Sequence, residues 1–391
     1  MTTTLDSGPH RRQNLFPILN AIPQHIGDNP GLLLPRYRPP NTRAPPASQG
    51  VRFRKQAETE GETMTNIDDA LDAAAASNTD EAVLGLDIGG TSIKMGVVTR
   101  GGKVLATAKV PTGKLDSSEA FERVVSSAIA LVREAGKDPE TLGAIGVDVP
   151  GVVLEDGTLA MAPNIVLDLA GLTAALKAAF PIARTRALND ANAAALGEAW
   201  LGAGDGVRSA VMLTLGTGVG AGVIVDGKVV VGAHGAGGEA GHINVNPNEP
   251  EACGCGCHGC LEQYASARGL IRLYREECVA SGANEVPIAH ATDALAVFEA
   301  ARANNPEATC ACERLADYLA RAMSIIAAIA DPEMFILGGG MCGGWDTFGD
   351  TCLEKYRAYA IPGCRDTPIR VATLGNDAGF LGAARQAIAL L

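Results

Sequence analysis

The chain has 391 residues, of which 47% are hydrophobic and 4% aromatic, and it contains 47 glycines. This composition is typical of a globular, glycine-looped α/β protein that is long enough for two domains. The formal net charge of −12 argues against binding of nucleic acid through a basic surface, and the absence of any run of eighteen apolar residues argues against a membrane span.

The first 64 residues differ in composition from the rest. They hold nine of the 21 prolines, and eight Lys or Arg against five Asp or Glu. Because proline disfavours both helix and strand, we predict that residues 1–80 are a disordered extension. We expect Met64 to be the working start and the upstream part to be an artefact of the gene model. A twin-arginine signal at Arg11 and Arg12 and an organellar transit peptide are the alternatives.

The fold is predicted to begin abruptly after this extension. Apolar runs and helical apolar spacing predict strands at 83–88, 93–99, 103–110 and 144–149 and a helix at 117–135. Gly89 and Gly90 separate the first two strands, and Gly101 and Gly102 form the next turn. This order of hairpin-linked strands, helix and strand indicates a mixed sheet covered by helices.

The same order of elements returns in the second half of the chain. A strand at 209–215 leads into a glycine-rich turn at 216–222, a strand at 223–225 and a second turn. Two halves on one plan, each with a glycine turn near its start, are typical of a two-domain phosphate clamp. The other predicted elements are helices at 169–179, 191–201, 264–281, 292–303, 312–330 and 378–391 and strands at 183–188, 334–337 and 369–374.

The turn after the first strand has the chemistry of a phosphate site. Gly89 and Gly90 carry no side chain, so backbone N–H groups can approach phosphate oxygens, and Thr91 adds a hydroxyl. Asp87 at the strand end is placed to hold Mg²⁺ through water, and Lys94 to lie near the phosphates. A plain glycine hairpin is the alternative interpretation.

Two further glycine turns strengthen the phosphate interpretation. One repeats the Thr/Gly pattern after a strand, and the other is a glycine triplet, where contact with flat adenine or ribose needs side chains out of the way. The triplet is not a Walker A loop, because no Gly-Lys-Ser/Thr follows it, and tight packing is its alternative role. We assign ATP or phosphate binding in these turns to Thr214, Gly216, Thr217, Gly218, Gly339 and Gly340.

The sequence Asn189-Asp190-Ala191-Asn192 places polar side chains where a strand ends and a helix starts. A carboxylate at such a point faces a cleft and can accept a hydroxyl proton during phosphoryl transfer. The alternative is that Asp190 or Asn192 only caps the helix. Residue pattern alone leaves both interpretations open.

A cysteine–glycine cluster at residues 253–260 is preceded by Glu239 and His242 and followed by Glu262. Thiols and imidazole at short, glycine-interrupted spacing suit tetrahedral zinc, because glycine lets the backbone turn tightly around one ion. Four of the ten cysteines lie in this cluster, and the scattering of the other six fits reduced thiols in a cytosolic protein. A disulfide cluster is the alternative.

Taken together, these motifs resemble the ROK family of sugar kinases, named for repressors, open reading frames and kinases, in the actin-like ATPase superfamily. The resemblance covers about residues 83–387. The motifs are LDIGGTSIK, VPGVV, APNI, NDANAAALGE, LGTGVGAG, GAHGAGGEAGHI, CGCGCHGCLEQY, DPE, LGGG and GNDAGFLGAA. The cysteine motif is highly specific in this order and spacing.

The resemblance implies an α/β, two-lobed, ribonuclease H-like fold that closes over ATP and a sugar. A small lobe at 81–188 is completed by the C-terminal helix at 377–391, and a large lobe at 189–376 carries the zinc-binding loop. The implied reaction is ATP-dependent phosphorylation of a hexose, glucose to glucose 6-phosphate. The implied enzyme is cytoplasmic, uses Mg²⁺ and a structural Zn²⁺, and forms a homodimer or homotetramer.

The resemblance also assigns roles to individual residues. Asp190 is the base that accepts the proton of the sugar 6-hydroxyl. His242 serves both sugar and zinc, because one imidazole nitrogen binds the metal and leaves the other free. The sugar residues are Asn164, Asn189, Asp190, Glu239, His242 and Glu262, and the zinc ligands are His242, Cys253, Cys255 and Cys260.

Departures from the family pattern leave the sugar open. Cys257 and His258 are spare ligands, so Cys255 is chosen by resemblance alone. The run after Asn164 lacks the tryptophan of many glucokinase-like relatives. A kinase for N-acetylmannosamine, N-acetylglucosamine, fructose or mannose is the alternative, and polyphosphate is an alternative donor. A sugar-responsive repressor of the family would need an N-terminal helix-turn-helix, whereas the first 80 residues are proline-rich.

Overall fold

A computed structural model of the chain describes residues 80–162, 165–285 and 293–391. The predicted disordered extension, apart from its last residue, and the predicted start at Met64 lie outside these residues, as does the predicted sugar residue Asn164. The described part contains two five-stranded sheets, and helices pack against both.

Seven strands lie in the described first half. They are β1 (Ala82–Ile88), β2 (Ser92–Thr99), β3 (Val104–Pro111), β4 (Ala144–Val149), β5 (Val152–Val153), β6 (Leu159–Met161) and β7 (Arg184–Asn189). Five of them form a sheet in the order β3-β2-β1-β4-β7, and β5 and β6 form a separate hairpin. β1, β2 and β3 are antiparallel neighbours, whereas β4 and β7 continue the sheet in parallel from β1. β4 is buried along its whole length and β1 nearly so, as expected for central strands covered on both faces.

Helices α1 (Ser118–Glu134) and α2 (Leu169–Ala179) share an apolar core with the first sheet. Ser117 caps α1 by accepting a hydrogen bond from the Ala120 amide, and Asp168 caps α2 in the same way through the amide of Gly171. Such caps satisfy amides that the first turn leaves without a partner, so they fix where each helix begins.

The described second half repeats the strand plan of the first. Its strands are β8 (Ala210–Leu215), β9 (Val219–Val225), β10 (Lys228–Val229), β11 (Met334–Gly338) and β12 (Ile369–Val371). Their order is β10-β9-β8-β11-β12, again three antiparallel strands followed by two parallel ones. The repeat predicted from the sequence is therefore present in the sheets.

Seven helices follow β7 in the described residues. They are α3 (Asp190–Leu201), α4 (Glu262–Ala265), α5 (Ala267–Ser281), α6 (Leu295–Arg302), α7 (Pro306–Ala330), α8 (Trp345–Tyr359) and α9 (Ala378–Ile388). Helices α4 to α8 share one apolar core with β8 and β11, to which Tyr264, Tyr274 and Phe348 contribute large buried rings.

Helices α3 and α9 pack tightly against each other. α9 also packs on β1 and β4 of the first sheet, and α3 on β8 and β9 of the second. A Cβ on Gly382 would lie 1.7 Å from the Ala193 carbonyl oxygen, and one on Gly197 would lie 2.4 Å from that of Ala378. Glycine at these two positions therefore permits the close approach by which the helix pair joins the two sheets.

Several predicted boundaries differ from the structure. The strand predicted at 223–225 begins at Val219, because the second half of the predicted glycine-rich turn pairs with β8. The predicted helix at 264–281 is divided at Ser266, whose hydroxyl caps α5 by accepting the Gly269 amide. The helix predicted to start at 312 begins at Pro306, because Asn305 caps it. The strand predicted at 369–374 ends at Val371, because the amides of Thr373 and Leu374 bind the Glu198 carboxylate instead of a strand. Among the described residues, no helix has the length and apolar content that crossing a membrane requires.

Candidate active site

Asp87 lies at the carboxyl end of β1 and is paired in register with Lys94 on β2. Nζ of Lys94 lies 3.5 Å from Oδ2 of Asp87 and donates a hydrogen bond of 2.7 Å to the Asn376 carbonyl. Burial raises the pKa of Asp87, and the nearby ammonium opposes this rise. The lysine thus joins the end of β1 to the segment that precedes α9.

The tip of the β1–β2 hairpin is formed by Gly89, Gly90 and Thr91. The Gly89 amide donates to the Ser92 carbonyl at 3.1 Å, and the buried Thr112 hydroxyl donates to the Gly89 carbonyl at 2.6 Å. A Cβ on Gly90 would meet no atom within 4 Å, so the backbone is open there. This geometry suits the approach of a phosphate to the hairpin tip.

Asp148, at the carboxyl end of β4, is a residue that sequence reasoning missed. It pairs in register with Asp87, and it is fully buried. Within the described part of the chain, neither carboxylate oxygen has a hydrogen-bond partner. Burial, together with the carboxylates of Asp87 and Asp190, raises the pKa of Asp148 well above its usual range. The sequence signal that could have identified Asp148 was an acidic residue within an otherwise apolar strand, because a charge is unfavourable in a buried strand.

The start of α3 brings Asn189 and Asp190 together. Oδ1 of Asn189 accepts the Asn192 amide at 3.1 Å, and its Nδ2 donates to the Gly151 carbonyl at 3.0 Å. The same Nδ2 donates to Oδ1 of Asp190 at 2.9 Å, and the Ala191 amide donates to that oxygen at 2.8 Å. Asn189 is therefore the helix cap, and the alternative that Asp190 or Asn192 serves only as the cap is wrong.

Asp87, Asp148 and Asp190 form a group that we name the aspartate triad. Asp190 is exposed, yet the protein around its carboxyl group raises its pKa by desolvation. The hydrogen bond from the Ala191 amide opposes this rise, and the charge of Asp87 adds to it. A carboxylate with a raised pKa is a better proton acceptor than an ordinary aspartate.

The second and third glycine turns lie side by side, because Thr214 at the end of β8 pairs with Gly338 at the end of β11. The second turn is closed by a 2.9 Å hydrogen bond from the Gly216 amide to the Gly218 carbonyl. Gly339 has a φ of 88°, and a Cβ there would lie 2.3 Å from the Leu215 carbonyl oxygen. Only glycine therefore fits where the two turns meet.

A cavity of about 370 Å³ opens beside these two turns. Backbone on one side and apolar side chains on the other suit a flat aromatic ring. Its lining includes Gly216, Thr217, Ala267, Phe298, Gly340 and Met341. A larger groove of about 640 Å³ runs along α5, but no predicted site residue lines it.

His242, Cys253, Cys255 and Cys260 converge, and their ligand atoms all lie within 4.8 Å of one another. The Sγ atoms of Cys255 and Cys260 are 3.7 Å apart, and Sγ of Cys253 lies 3.9 Å from Nδ1 of His242. Zinc–sulfur bonds of about 2.3 Å in a tetrahedron place ligand atoms about 3.8 Å apart. The four predicted ligands therefore have the spacing that a zinc ion requires.

The two spare ligands do not join this group. Cys257 is exposed, and its carbonyl accepts the Cys253 amide at 2.7 Å. Nδ1 of His258 lies 3.2 Å from the Glu249 carbonyl oxygen. All ten cysteines are free thiols in the structure, so the disulfide alternative has no support there.

Glu262, at the start of α4, links the cysteine cluster to the second glycine turn. Its Oε2 accepts the Val219 amide at 3.0 Å, and its Oε1 lies 3.9 Å from Sγ of Cys253. A Cβ on Gly218 would lie 2.4 Å from Oε2, so glycine leaves the space that this carboxylate occupies.

The predicted sugar residues fall into two groups. Asn189 and Asp190 lie at the start of α3, whereas His242 and Glu262 lie against the cysteine cluster, with Glu239 just before the short 3-10 turn Ala240–His242. None of the hydrogen bonds in the described part of the chain joins one group to the other.

Two buried glutamates bind groups from separate parts of the chain, and neither was predicted from the sequence to have a structural role. Glu198, fully buried on α3, accepts the amides of Ala203, Thr373 and Leu374 at 2.9, 3.0 and 2.7 Å. Glu249 accepts hydrogen bonds from Arg272, at 2.9 Å, and from the Tyr264 hydroxyl. Burial would raise the pKa of Glu249, but these bonds and one from the Glu251 amide lower it.

Comparison with known proteins gives the same family as the sequence motifs. A model of the ROK family matches residues 83–389, and the chain therefore belongs to the ROK family. A glucokinase of Halalkalibacterium halodurans is 36% identical over 313 residues, which cover 78% of this chain and 94% of that enzyme.

Solved structures show the same relationship. The ROK hexokinase of Thermus thermophilus aligns with a TM-score of 0.66 and 37% identity, over 78% of this chain and 97% of that one. A ROK family glucokinase from Streptomyces griseus, in complex with glucose and AMPPNP, aligns with a TM-score of 0.59 and 33% identity. That alignment covers 78% of this chain and 99% of the Streptomyces chain.

Proposed function

We propose that the protein is an ATP-dependent hexose kinase that converts glucose to glucose 6-phosphate. The observation that carries this proposal is the exposed, hydrogen-bonded carboxylate of Asp190 close to Asp87 at the end of the first glycine hairpin. A proton acceptor beside a phosphate turn is the arrangement that phosphoryl transfer to a hydroxyl needs. Glucokinases at 35–36% identity and a relative that binds glucose and AMPPNP support the same assignment.

The nucleotide lies along the three glycine turns. Its adenine occupies the cavity of about 370 Å³ beside Gly216 and Gly340, with Phe298 and Met341 as apolar walls. Its phosphates extend to the hairpin tip at Gly89 and Gly90, where backbone amides and the Lys94 ammonium offset their charge. Asp87 would hold Mg²⁺ through water beside this hairpin, and the ion would offset further charge on the phosphates. The residues that bind nucleotide are Asp87, Gly89, Gly90, Thr91, Lys94, Thr214, Gly216, Thr217, Gly218, Gly339 and Gly340.

Asp190 acts as the general base. The sugar 6-oxygen forms a bond to the γ-phosphorus, the bond from that phosphorus to the β,γ-bridging oxygen breaks, and ADP leaves. Oδ1 of Asp190 is held by Asn189 and the Ala191 amide, so the carboxylate takes up the hydroxyl proton in a fixed orientation. The fixed geometry lowers the entropy lost on reaching the transition state.

The sugar lies between the two groups of predicted sugar residues. Asn189 and Asp190 contact it from one side, and Glu239, His242 and Glu262 from the other. Asn164, which lies outside the described residues, is the remaining proposed sugar residue. In this proposal a small lobe at 81–188 with 377–391 closes on a large lobe at 189–376, in the actin-like, ribonuclease H-like arrangement, and the helix pair α3–α9 joins the lobes. Closure brings together groups that no described hydrogen bond joins.

Zinc has a structural part in this proposal. His242, Cys253, Cys255 and Cys260 would hold it, and it would supply a fixed crosslink between the 3-10 turn and the loop before α4. His242 and Glu262 are thereby kept in place on one wall of the sugar site, since Glu262 also binds the Val219 amide. The protein works in the cytoplasm as a homodimer or homotetramer.

A panel of sugars tests the proposal. We expect ADP release with ATP and glucose, measured in a coupled assay, to have a kcat/KM above that with N-acetylmannosamine, N-acetylglucosamine, fructose or mannose. Polyphosphate in place of ATP tests the donor. If glucose is phosphorylated far more slowly than another sugar in the panel, the substrate assignment is wrong and that sugar takes its place. If no sugar is phosphorylated, the kinase assignment itself is contradicted.

A further inference from the structure

Asp148 differs from the other buried acids in that no hydrogen-bond donor among the described residues stabilises its charge, and the ammonium of Lys94 lowers its pKa less than burial raises it. Three acids are buried in the described residues, Asp148 and Glu198 completely and Glu249 nearly so. Three backbone amides bind Glu198, and Tyr264, Arg272 and an amide bind Glu249. Neither oxygen of Asp148 has a hydrogen-bond partner there. A buried carboxylate in this state costs several kcal/mol, so the site lacks a partner.

The sheet register places Asp148 directly beside Asp87. The two residues are register partners on β1 and β4, and adjacent strands lie about 4.8 Å apart, so their side chains share one face of the sheet. Asp87 is 19% exposed and Asp148 is not exposed at all, so solvent reaches this pair of carboxylates at Asp87. On the opposite side, a Cβ on Gly379 would lie 2.8 Å from Cγ of Asp87, so glycine keeps this space clear of side chains.

Charge in this region is poorly balanced. The aspartate triad brings three carboxyl groups together, and the nearby cation is Lys94, whose ammonium lies 3.5 Å from Asp87 and also binds the Asn376 carbonyl. One ammonium leaves two negative charges when all three groups are ionised. Mg²⁺ and Mn²⁺ each carry two positive charges, which balance these two negative charges. Both ions prefer carboxylate oxygens and keep several waters, so two carboxylates are enough to hold one ion.

We propose that Asp148 and Asp87 together bind a divalent cation directly, and that they do so before the nucleotide arrives. The cation enters past Asp87 from the cleft and uses the oxygens of Asp148 that have no other partner. Its use in phosphoryl transfer rests on the proposed function, whereas its binding does not. The sequence analysis assigned only Asp87, acting through water, to this role.

A competing account is that Asp148 stays protonated and donates a hydrogen bond to Asp87. Asparagine separates the two accounts, because its amide keeps a donor of the same size and removes the charge. If a cation binds, Asp148→Asn must weaken it. If Asp148 is only a donor, the asparagine variant must behave as the wild type does.

Mn²⁺ binding to the full chain tests the proposal, with zinc added first to fill the cysteine cluster and with no nucleotide or sugar present. Loss of the electron paramagnetic resonance signal of free Mn²⁺ measures the bound ion. We expect one Mn²⁺ per wild-type chain and at least about a tenfold weaker affinity for Asp148→Asn. Asp350→Asn, at an exposed acid on α8, is the matched control and should bind as the wild type does.

Circular dichroism checks that each variant folds, and Asp148→Ser replaces Asp148→Asn if the latter does not. Absence of nucleotide-independent Mn²⁺ binding, or wild-type affinity in a folded Asp148 variant, overturns the proposal. Kinase activity without Mn²⁺ binding would leave the proposed function in place and remove this inference. If Mn²⁺ binding depends on Asp148 but the chain phosphorylates no sugar, this inference stands and the proposed function is contradicted.

Discussion

The environment of Asp190 predicts the acid side of the pH profile. A base works only when it is unprotonated, and desolvation raises the pKa of Asp190 above the ordinary value of 3.8. Activity is therefore lost as the pH falls through this raised pKa and is retained above it. We expect kcat/KM for glucose to fall below an apparent pKa higher than 3.8, measured between pH 4 and pH 8.

The measured value belongs to the aspartate triad as a whole, because the charge of Asp87 raises the pKa of Asp190, and the charges of both raise the pKa of Asp148. Circular dichroism at each pH separates loss of the base from loss of the fold. A profile that stays flat down to pH 4 in folded protein would refute Asp190 as the base.

Glu198 supports a prediction about stability. Its hydrogen bonds from the amides of Thr373 and Leu374 tie α3 to the segment before α9, a third comes from the amide of Ala203 just after α3, and the residue is fully buried. In Glu198→Gln an amide group faces a backbone donor, so we expect a loss of about 1–3 kcal/mol in the free energy of unfolding. Urea unfolding measures the change. Glu354→Gln, at an exposed position on α8, should stay within about 0.5 kcal/mol of the wild type, and equal losses in both would contradict the assigned role.

At the level of single residues, the sequence was informative where a chemical group occurs in a recognisable local pattern. Asp190 follows a strand and starts a helix, and the cysteines are closely spaced, so both could be selected as candidates from the sequence, with their roles supplied by the family resemblance. Asp148 could not, because its significance depends on its register with β1, which only the folded sheet fixes. Glu198 depends likewise on amides 175 and 176 positions away in the chain.

The loop that carries the cysteines is the element whose role can be tested most sharply. Cys260 is buried among the four proposed ligands, whereas Cys257 is exposed and lies outside them. We expect Cys260→Ser to lose zinc, because three ligands hold the ion less well than four, and to raise the KM for glucose through His242 and Glu262. Metal content of the purified protein and steady-state kinetics measure both effects.

Cys257→Ser is the matched control, because it removes a thiol from the same loop. It should keep one zinc per chain and the wild-type KM. If Cys257→Ser loses zinc while Cys260→Ser keeps it, the ligand set is wrong. If Cys260→Ser loses zinc without any change in KM, the loop does not support the sugar site.

Among whole elements, the predicted bounds agree with the structure where the sequence has a strong local signal, and they differ where it has none. β1 and β4 are buried apolar runs, and α1 has a regular apolar face with a Ser cap, so each was found close to its predicted bounds. The hairpin of β5 and β6 was missed because its strands have two and three residues. The division at Ser266 was missed because its cap lies within a continuous helical pattern.

At the scale of the molecule, the repeated strand plan explains why two of the three glycine turns occur at matching strand ends. Each five-stranded sheet has three antiparallel strands joined by hairpins and two parallel strands. The first glycine turn follows the first strand of one sheet, and the second follows the first strand of the other. The glycine contacts between α3 and α9 then join the two sheets. The repeat was visible in the sequence, whereas the close contact of these helices was not.

The account depends most on Asp190 as the base in an ATP-dependent transfer to glucose. The most direct test measures glucose 6-phosphate formed from ATP and glucose by the wild type and by Asp190→Asn, with glucose affinity determined separately by calorimetry. We predict that the wild type forms the product and that Asp190→Asn lowers kcat by about 10²–10⁴-fold while glucose still binds. Asp190→Asn with a kcat near that of the wild type, or a folded wild type that forms no glucose 6-phosphate, would contradict the account.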